Sequence, residues 1–272
     1  VMNTRLMKGQ KVLQGYLSAK NPVDTWVSGT FAIAFWTVNH LWHLGKYNLG
    51  LSSCLGGTGM CISADIVREF GWGCDCLTED MEFSMKCLSH GIRTCWVHDA
   101  IIYDEKPLTF MASWRQRKRW AQGQFDCSER YIPILIKEGF KRRSIVVLDG
   151  IMQLLQNYFL LISAFYLVMT YINMFYPCFT VVLYNDALVP RQFWSVLGTI
   201  QYVLPLIVLL QIEVPAKIYL YWLIYPVFMY SWVPVTFLGW IHRHEKQWVH
   251  TIHTRSMQFQ AASLTRKKEI DS

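Results

Sequence analysis

The chain has 272 residues, of which 53% are hydrophobic, 15% aromatic and 17% charged, and its formal net charge is +7. A mean hydropathy of +0.19 is high for a soluble protein, so the composition favours a domain joined to a membrane region over a single soluble domain. The positive charge does not indicate a nucleic-acid partner, because a basic block (residues 115–143) directly precedes a charge-poor apolar stretch (residues 144–240), as in the flanks of membrane helices.

Residues 1–107 are predicted to alternate between short strands and helices. Lys11–Leu17 has the pattern of a strand that ends before the turn residues Asn21–Pro22, and residues 25–43 predict an aromatic-rich helix. A second short strand is expected at Met60–Ser63, directly after a glycine cluster. This alternation predicts part of an α/β domain.

The next helix is predicted to begin at Leu77–Asp80. Thr78 suits the N-cap position, and the two carboxylates that follow it oppose the positive end of the helix dipole. Gly91 is expected to end the helix at the C′ position, and Ile92–Val97 predicts another strand.

Residues 108–143 are predicted to form amphipathic helices that lie in the membrane interface. The first is expected to follow Pro107 and to run from Phe110 to about Lys137, with aromatic side chains among arginines and lysines.

Residues 144–240 predict about three transmembrane helices, since roughly 20 apolar residues suffice to cross a bilayer. The candidate spans are residues 151–176, 193–210 and 217–240. Three crossings would place the tail (residues 241–272) opposite the α/β domain, whereas its basic residues favour the cytosolic side. A re-entrant span and a fourth span near Cys178–Tyr184 therefore both stay open.

The eight cysteines are predicted to be free thiols in a reducing compartment. Cys74 and Cys76 are too close together for the usual zinc pair, and no second pair follows at ligand spacing. Two tail histidines, His250 and His253, also lack further ligands, so no metal site is predicted within the chain.

Asp80 is the candidate general base. Inverting sugar transfer needs a carboxylate that accepts the proton of the attacking hydroxyl, and a loop-to-helix junction fixes such a group at the edge of a cleft. Glu79 and Asp80 would also stabilise a helix start without any catalytic role, so these two residues alone do not identify a site.

Two further segments carry candidate binding groups. Gln116, Arg119 and Trp120 are three or four residues apart, so they can share one helix face, where the guanidinium suits a diphosphate and the indole suits a sugar ring. The alternative is a surface helix with snorkelling arginines. The glycines of Gly56–Gly59 permit close backbone approach to a ligand, although an ordinary turn has the same composition.

Taken together, these segments resemble the processive, membrane-integrated branch of glycosyltransferase family 2. That branch includes hyaluronan, chitin and cellulose synthases and many bacterial cell-envelope N-acetylglucosaminyl- or glucosyltransferases. Leu77–Asp80 matches the T-E-D motif, Gln116–Trp120 matches the Q-x-x-R-W motif, and Gly57–Gly59 is similar to the glycine-rich segment that lines the acceptor. The resemblance covers most of residues 1–125, as the C-terminal part of the family's catalytic domain, and more loosely the membrane region.

The resemblance implies a partial GT-A type α/β domain, then interface helices and a transmembrane region, in the cell membrane with the catalytic part facing the cytosol. Asp80 would be the base, Arg119 would contact the nucleotide diphosphate, and Gln116 and Trp120 would help to bind donor and acceptor. The substrate-binding residues would be Thr78, Glu79, Gln116, Arg119, Trp120, Gly57, Thr58 and Gly59. The implied donor is a nucleotide sugar, expected to be a UDP-sugar, and the acceptor is a polysaccharide or a lipid-linked sugar.

One part of the family pattern is missing. The D-x-D that holds Mg²⁺ or Mn²⁺ is expected just upstream of Val1, and neither Asp24 nor Asp75 has a partner aspartate at that spacing. Because the metal is the main charge partner of the leaving diphosphate, this chain alone is expected to be inactive.

Two other classes of protein stay open. A non-catalytic membrane fragment or scaffold from a degenerate glycosyltransferase would also lack the metal-binding half. A transporter would need polar groups inside its spans, for which Asn157 and Asn173 are thin evidence.

Overall fold

The computed structural model describes residues 1–176 and 191–245. The predicted extra span near Cys178–Tyr184 and the tail beyond residue 245 lie outside the described residues. The elements in chain order are α1 (Met2–Met7), β1 (Val12–Ala19), α2 (Trp26–Thr37), a π-helical stretch (Val38–His43), α3 (Leu44–Asn48), β2 (Met60–Ile62), α4 (Ala64–Phe70), α5 (Glu79–Ser89), β3 (Thr94–Asp104), α6 (Phe110–Arg142), α7 (Ile145–Phe175), α8 (Arg191–Gln211), α9 (Lys217–Tyr230) and α10 (Trp232–Ile241).

A mixed three-stranded sheet in the order β2-β1-β3 forms the centre of the α/β part. β1 pairs antiparallel with β2 and parallel with β3, and its register with β3 shifts between Gly15 and Tyr16. All three predicted strands are confirmed, and β3 extends beyond its predicted end to Asp104. The sheet and its helices agree with the expected α/β domain.

The helix predicted at residues 25–43 is confirmed, and its start has a local cause. Thr25 and Ser28 form a capping box, in which each side chain accepts a hydrogen bond from the backbone N–H of the other. The helix then continues through the π-helical stretch to Asn48. Two short helices, α1 and α4, were not predicted.

Two apolar helical stretches are long enough to cross a membrane, which supports membrane association weakly. They are Ile145–Ile172, of 28 residues, and Lys217–Ile241, of 25 residues. The candidate span at residues 193–210 contains only a shorter apolar stretch, Gly198–Gln211. The candidate span at residues 217–240 falls within the second of these stretches, in which a turn at Ser231 separates α9 from α10.

The apolar helices pack directly on the α/β part through glycines. A Cβ atom on Gly29 of α2 would overlap the ring of Tyr221 on α9. A Cβ atom on Gly239 of α10 would lie 2.5 Å from the Cβ atom of Ala121 on α6. Gly29 therefore makes room for the Tyr221 ring, whereas at Gly239 the backbones of α10 and α6 approach closely.

A buried ion pair joins α3 of the α/β part to α7. Lys46 Nζ lies 2.7 Å from Asp149 Oδ2, and the two side chains are 7% and 17% exposed. Nearby, Trp42 Nε1 donates a 2.8 Å hydrogen bond to Gln153 Oε1. These two contacts fix the π-helical stretch and α3 against the first apolar helix.

The position of Arg117 does not fit the alternative interpretation of this segment as a surface helix with snorkelling arginines. Its side chain is fully buried, and its guanidinium lies against the rings of Phe110, Phe228 and Trp232. Its Nη1 atom donates a 2.7 Å hydrogen bond to Ser231 Oγ, at the junction of α9 and α10. α6 is therefore packed against the junction of α9 and α10 along this segment.

Candidate functional site

The glycine cluster, Gly56–Gly59, forms a loop that is attached to β1 by two hydrogen bonds from one side chain. Gln14 Nε2 donates a 2.9 Å hydrogen bond to Thr58 O, and Gln14 Oε1 accepts a 2.8 Å hydrogen bond from Gly56 N. Gly57 and Gly59 have φ angles of 75° and 64°, which side-chain-bearing residues rarely adopt. The predicted glycine segment is thus a fixed loop whose shape requires glycine at these two positions.

Asp80 lies against this loop. A Cβ atom on Gly57 would be 3.2 Å from Asp80 Oδ2, a contact so tight that the carboxylate would have to shift by a few tenths of an ångström. Asp80 Oδ1 accepts a 2.7 Å hydrogen bond from Met81 N in the first turn of α5. The structure therefore brings together the predicted base and the predicted acceptor loop.

Burial is the largest cause of a raised pKa at Asp80, which the structure places at about 6. The negative charge of Glu79 raises the pKa further, whereas the Met81 hydrogen bond and the positive charge of Arg119 lower it. A carboxylate with a pKa near neutrality is a stronger base than an ordinary aspartate and is still ionised at pH 7.

α6 meets the start of α5 at Gly123. A Cβ atom there would lie 2.5 Å from Thr78 Oγ1 and 2.7 Å from Thr78 N. Arg119 is four residues before Gly123 and Gln116 seven, so the three positions share a helix face. This contact places the Q-x-x-R-W segment beside the T-E-D segment, and the effect of Arg119 on the Asp80 pKa agrees with that placement.

Thr78 differs from its prediction in one respect. It occupies the N-cap position of α5, but its side chain makes no capping hydrogen bond. Its Oγ1 atom is buried against α6 without a hydrogen-bond partner, as is Gln116 Oε1. Thr78 is therefore held by its packing against α6 and not by a capping hydrogen bond.

The side chain of Trp120 packs against other aromatic rings. It belongs to an aromatic cluster, with ring centroids 6.1 Å from Phe31, 6.3 Å from Phe35 and 6.5 Å from Trp232. The indole is half-buried there. Packing between α2, α6 and the apolar helices accounts for its position, and its stacking on a sugar stays a prediction.

Three residues that support the site were not predicted. Ser84 Oγ accepts a 2.8 Å hydrogen bond from Leu55 N and donates one of 2.8 Å to Asp80 O, so it ties the glycine loop to α5. The buried Glu82 carboxylate accepts 2.7 Å hydrogen bonds from the backbone N–H groups of Asp75 and Cys76, which fixes the segment before Thr78. Gln14 is the third. Of the three, only Glu82 could have been noticed in the sequence, because it is an acidic residue on the apolar side of α5.

The described residues do not fit a divalent ion. Nowhere in residues 1–176 and 191–245 are three or more His, Cys, Asp or Glu side chains grouped to hold a metal ion. Asp75 is exposed and lies 3.7 Å from Arg130, which leaves it a poor ligand. The chemistry proposed below therefore rests on the side chains that are present.

The chain is similar in sequence to known glycosyltransferases. A family model described as "Glycosyl transferase family group 2" matches residues 5–239. A "Probable glycosyltransferase YdaM" of Bacillus subtilis (strain 168) is 30% identical over 80 residues, which are 29% of this chain and 19% of that protein. The match thus spans about a fifth of the length of that curated relative.

Proposed function

The chain belongs to glycosyl transferase family group 2, and on this premise we propose that it transfers a sugar from a nucleotide-sugar donor to a polysaccharide or lipid-linked acceptor, with inversion. One observation carries the proposal: a carboxylate with a pKa of about 6 faces a fixed glycine loop and lies within the field of Arg119. The proposed donor is a UDP-sugar.

In the proposed reaction, an acceptor hydroxyl oxygen attacks the anomeric carbon from the face opposite the diphosphate. The new C–O bond forms as the bond to the diphosphate breaks, and the bonding electron pair leaves with the diphosphate. Asp80 accepts the hydroxyl proton, which makes the oxygen a stronger nucleophile. Arg119 stabilises the charge that develops on the leaving diphosphate, because its planar donors match phosphate oxygens. Thr78, Glu79, Gln116, Trp120 and the loop Gly57–Gly59 are proposed to bind the substrates.

The proposed setting is a cell membrane crossed more than once, with the α/β part on the cytosolic side. Two apolar helical stretches of crossing length and the basic segment before α7 support this orientation. The transfer activity should accordingly remain with carbonate-washed membranes.

The donor-binding and metal-binding groups are proposed to be supplied from outside this chain. The purified chain, assayed with UDP-sugars and Mn²⁺, is expected to transfer no sugar, since its described residues offer no ligand set for the ion that would neutralise the leaving diphosphate. Turnover by the chain alone that Asp80→Asn abolishes would contradict this expectation.

The transfer rate of the complete protein is expected to fall as the pH is lowered through about 6, because protonated Asp80 cannot act as a base. Arg119→Gln should move this acid limb to higher pH, since the positive charge of Arg119 lowers the Asp80 pKa, and should also slow transfer. The measurement is kcat/KM from about pH 5 to about pH 8 in washed membranes.

Arg115→Gln is the matched control, because Arg115 is an exposed arginine one turn earlier on α6. It should leave the position of the acid limb unchanged. An acid limb that stays in place in Arg119→Gln would show that Arg119 does not act on the base.

A further inference from the structure

A cavity of about 400 Å³ lies apart from Asp80, between β1, β3, the helical stretch that contains α2, and the connection between α8 and α9. None of the described residues that line it belongs to the predicted transfer site. Its volume is within the lower part of the range of small-molecule sites. The cavity has room for a single sugar ring or a molecule of that size.

Its inner wall is a fixed group of three rings. The ring centroids of Tyr16, His40 and His98 are 4.9–5.5 Å apart in edge-to-face contacts. His98 Nδ1 accepts a 3.3 Å hydrogen bond from Trp96 Nε1, so the neutral His98 ring carries its proton on Nε2. His40 Nδ1 lies 3.0 Å from Trp36 O and 3.4 Å from the Tyr16 hydroxyl oxygen. The cavity is thus lined by two imidazoles and a phenol, groups that can both donate and accept hydrogen bonds.

The charge of the lining is acidic. Asp99 and Glu213 contribute carboxylates, and none of the described lining residues is a lysine or arginine, although the chain carries a net charge of +7. Burial and the neighbouring His40 lower the pKa of His98, whereas the carboxylate of Asp99 raises it. Such a lining disfavours a phosphate or a nucleotide.

The rim adds an apolar ring face. Tyr103 lines the cavity, and its side chain is 64% exposed. An aromatic face beside carboxylates and imidazoles matches a sugar, which has apolar C–H faces and hydroxyl groups that both donate and accept hydrogen bonds.

We propose that this cavity binds one ring of a neutral saccharide, with its hydroxyls on Asp99, Glu213 and the two histidines and its C–H face on Tyr103. This is a second carbohydrate site, distinct from the place where transfer is proposed to occur. It holds a sugar without reacting with it.

Binding of cellotetraose and chitotetraose to the full chain in detergent, without any donor, tests the proposal by saturation-transfer NMR and calorimetry. At least one of the two is expected to bind, and Tyr103→Ala and Glu213→Gln should each weaken that binding by about tenfold. Asp80→Asn should leave it unchanged, because the cavity does not include Asp80. Phe140→Ala, at an aromatic side chain 71% exposed on α6, is the matched control and should also bind normally.

Three outcomes would overturn the proposal. The first is that neither tetrasaccharide binds. The second is that Asp80→Asn abolishes binding whereas Tyr103→Ala does not. The third is that glucose 1-phosphate or glucosamine binds more tightly than the neutral sugars. Because no donor is present, none of these outcomes bears on whether the protein transfers sugar, which the pH profile tests separately.

Discussion

Asp80→Asn is expected to lower the rate of the proposed sugar transfer by about a thousandfold, within the range for loss of a positioned general base. Asparagine keeps the size of the side chain, and its amide oxygen can still accept the hydrogen bond from Met81 N. It cannot accept the proton of the attacking hydroxyl. The loss should therefore appear in kcat, with little change in KM for the donor, when initial rates are measured in washed membranes.

Glu69→Gln is the matched control for this prediction. Glu69 is an exposed carboxylate on α4, in the same α/β part, and its amide variant should transfer sugar at the normal rate. If Asp80→Asn kept most of its activity, Asp80 would not be the base and the proposed mechanism would be wrong.

Gly123→Ala is expected to separate α5 from α6 and to disable the site without removing any reacting group. The added methyl would lie 2.5 Å from Thr78 Oγ1 and 2.7 Å from its backbone N, so one of the helices must move. A displacement of about 1 Å at a catalytic group can cost roughly a hundredfold in rate. The overpacking should also destabilise the fold by about 1–3 kcal/mol, which outweighs the helix propensity gained from alanine.

Gly45→Ala on α3 is the control, because a Cβ atom there meets nothing within 4 Å. It should stabilise the protein slightly and leave transfer unchanged. Thermal unfolding in detergent and transfer rates in membranes measure the two effects. Normal activity in Gly123→Ala would show that the contact between these helices does not set the geometry of the site.

Local sequence patterns predicted those parts of the fold that have local causes. Thr25 with Ser28 explains the start of α2, and Gly91, with a φ of 83°, follows the end of α5 as a C′ glycine should. The break between α9 and α10 was missed because the apolar pattern continues through Ser231, and the hydrogen bond that Ser231 accepts there comes from Arg117, far away in the sequence.

The residues of the candidate site likewise fall into two groups, those that the sequence predicted and those that it did not. Asp80, the glycine loop and the segment with Arg119 were predicted from their residue types and order. Gln14, Ser84 and Gly123 were not, because each acts through a contact with a distant residue: Thr58, Leu55 and Thr78, respectively. A glutamine in a strand or a glycine in a helix has many ordinary explanations, and only the tertiary structure shows which one holds.

α6 has two close backbone contacts only two positions apart, with Gly239 at Ala121 and with Thr78 at Gly123. One stretch of helix therefore sets both the distance to the base and the distance to the hydrophobic bundle. The bundle is consequently a structural wall of the proposed reaction centre and not an interchangeable anchor. Grafting the α/β part onto an unrelated membrane helix would keep it at the bilayer but would remove the surface against which its motif helix is aligned.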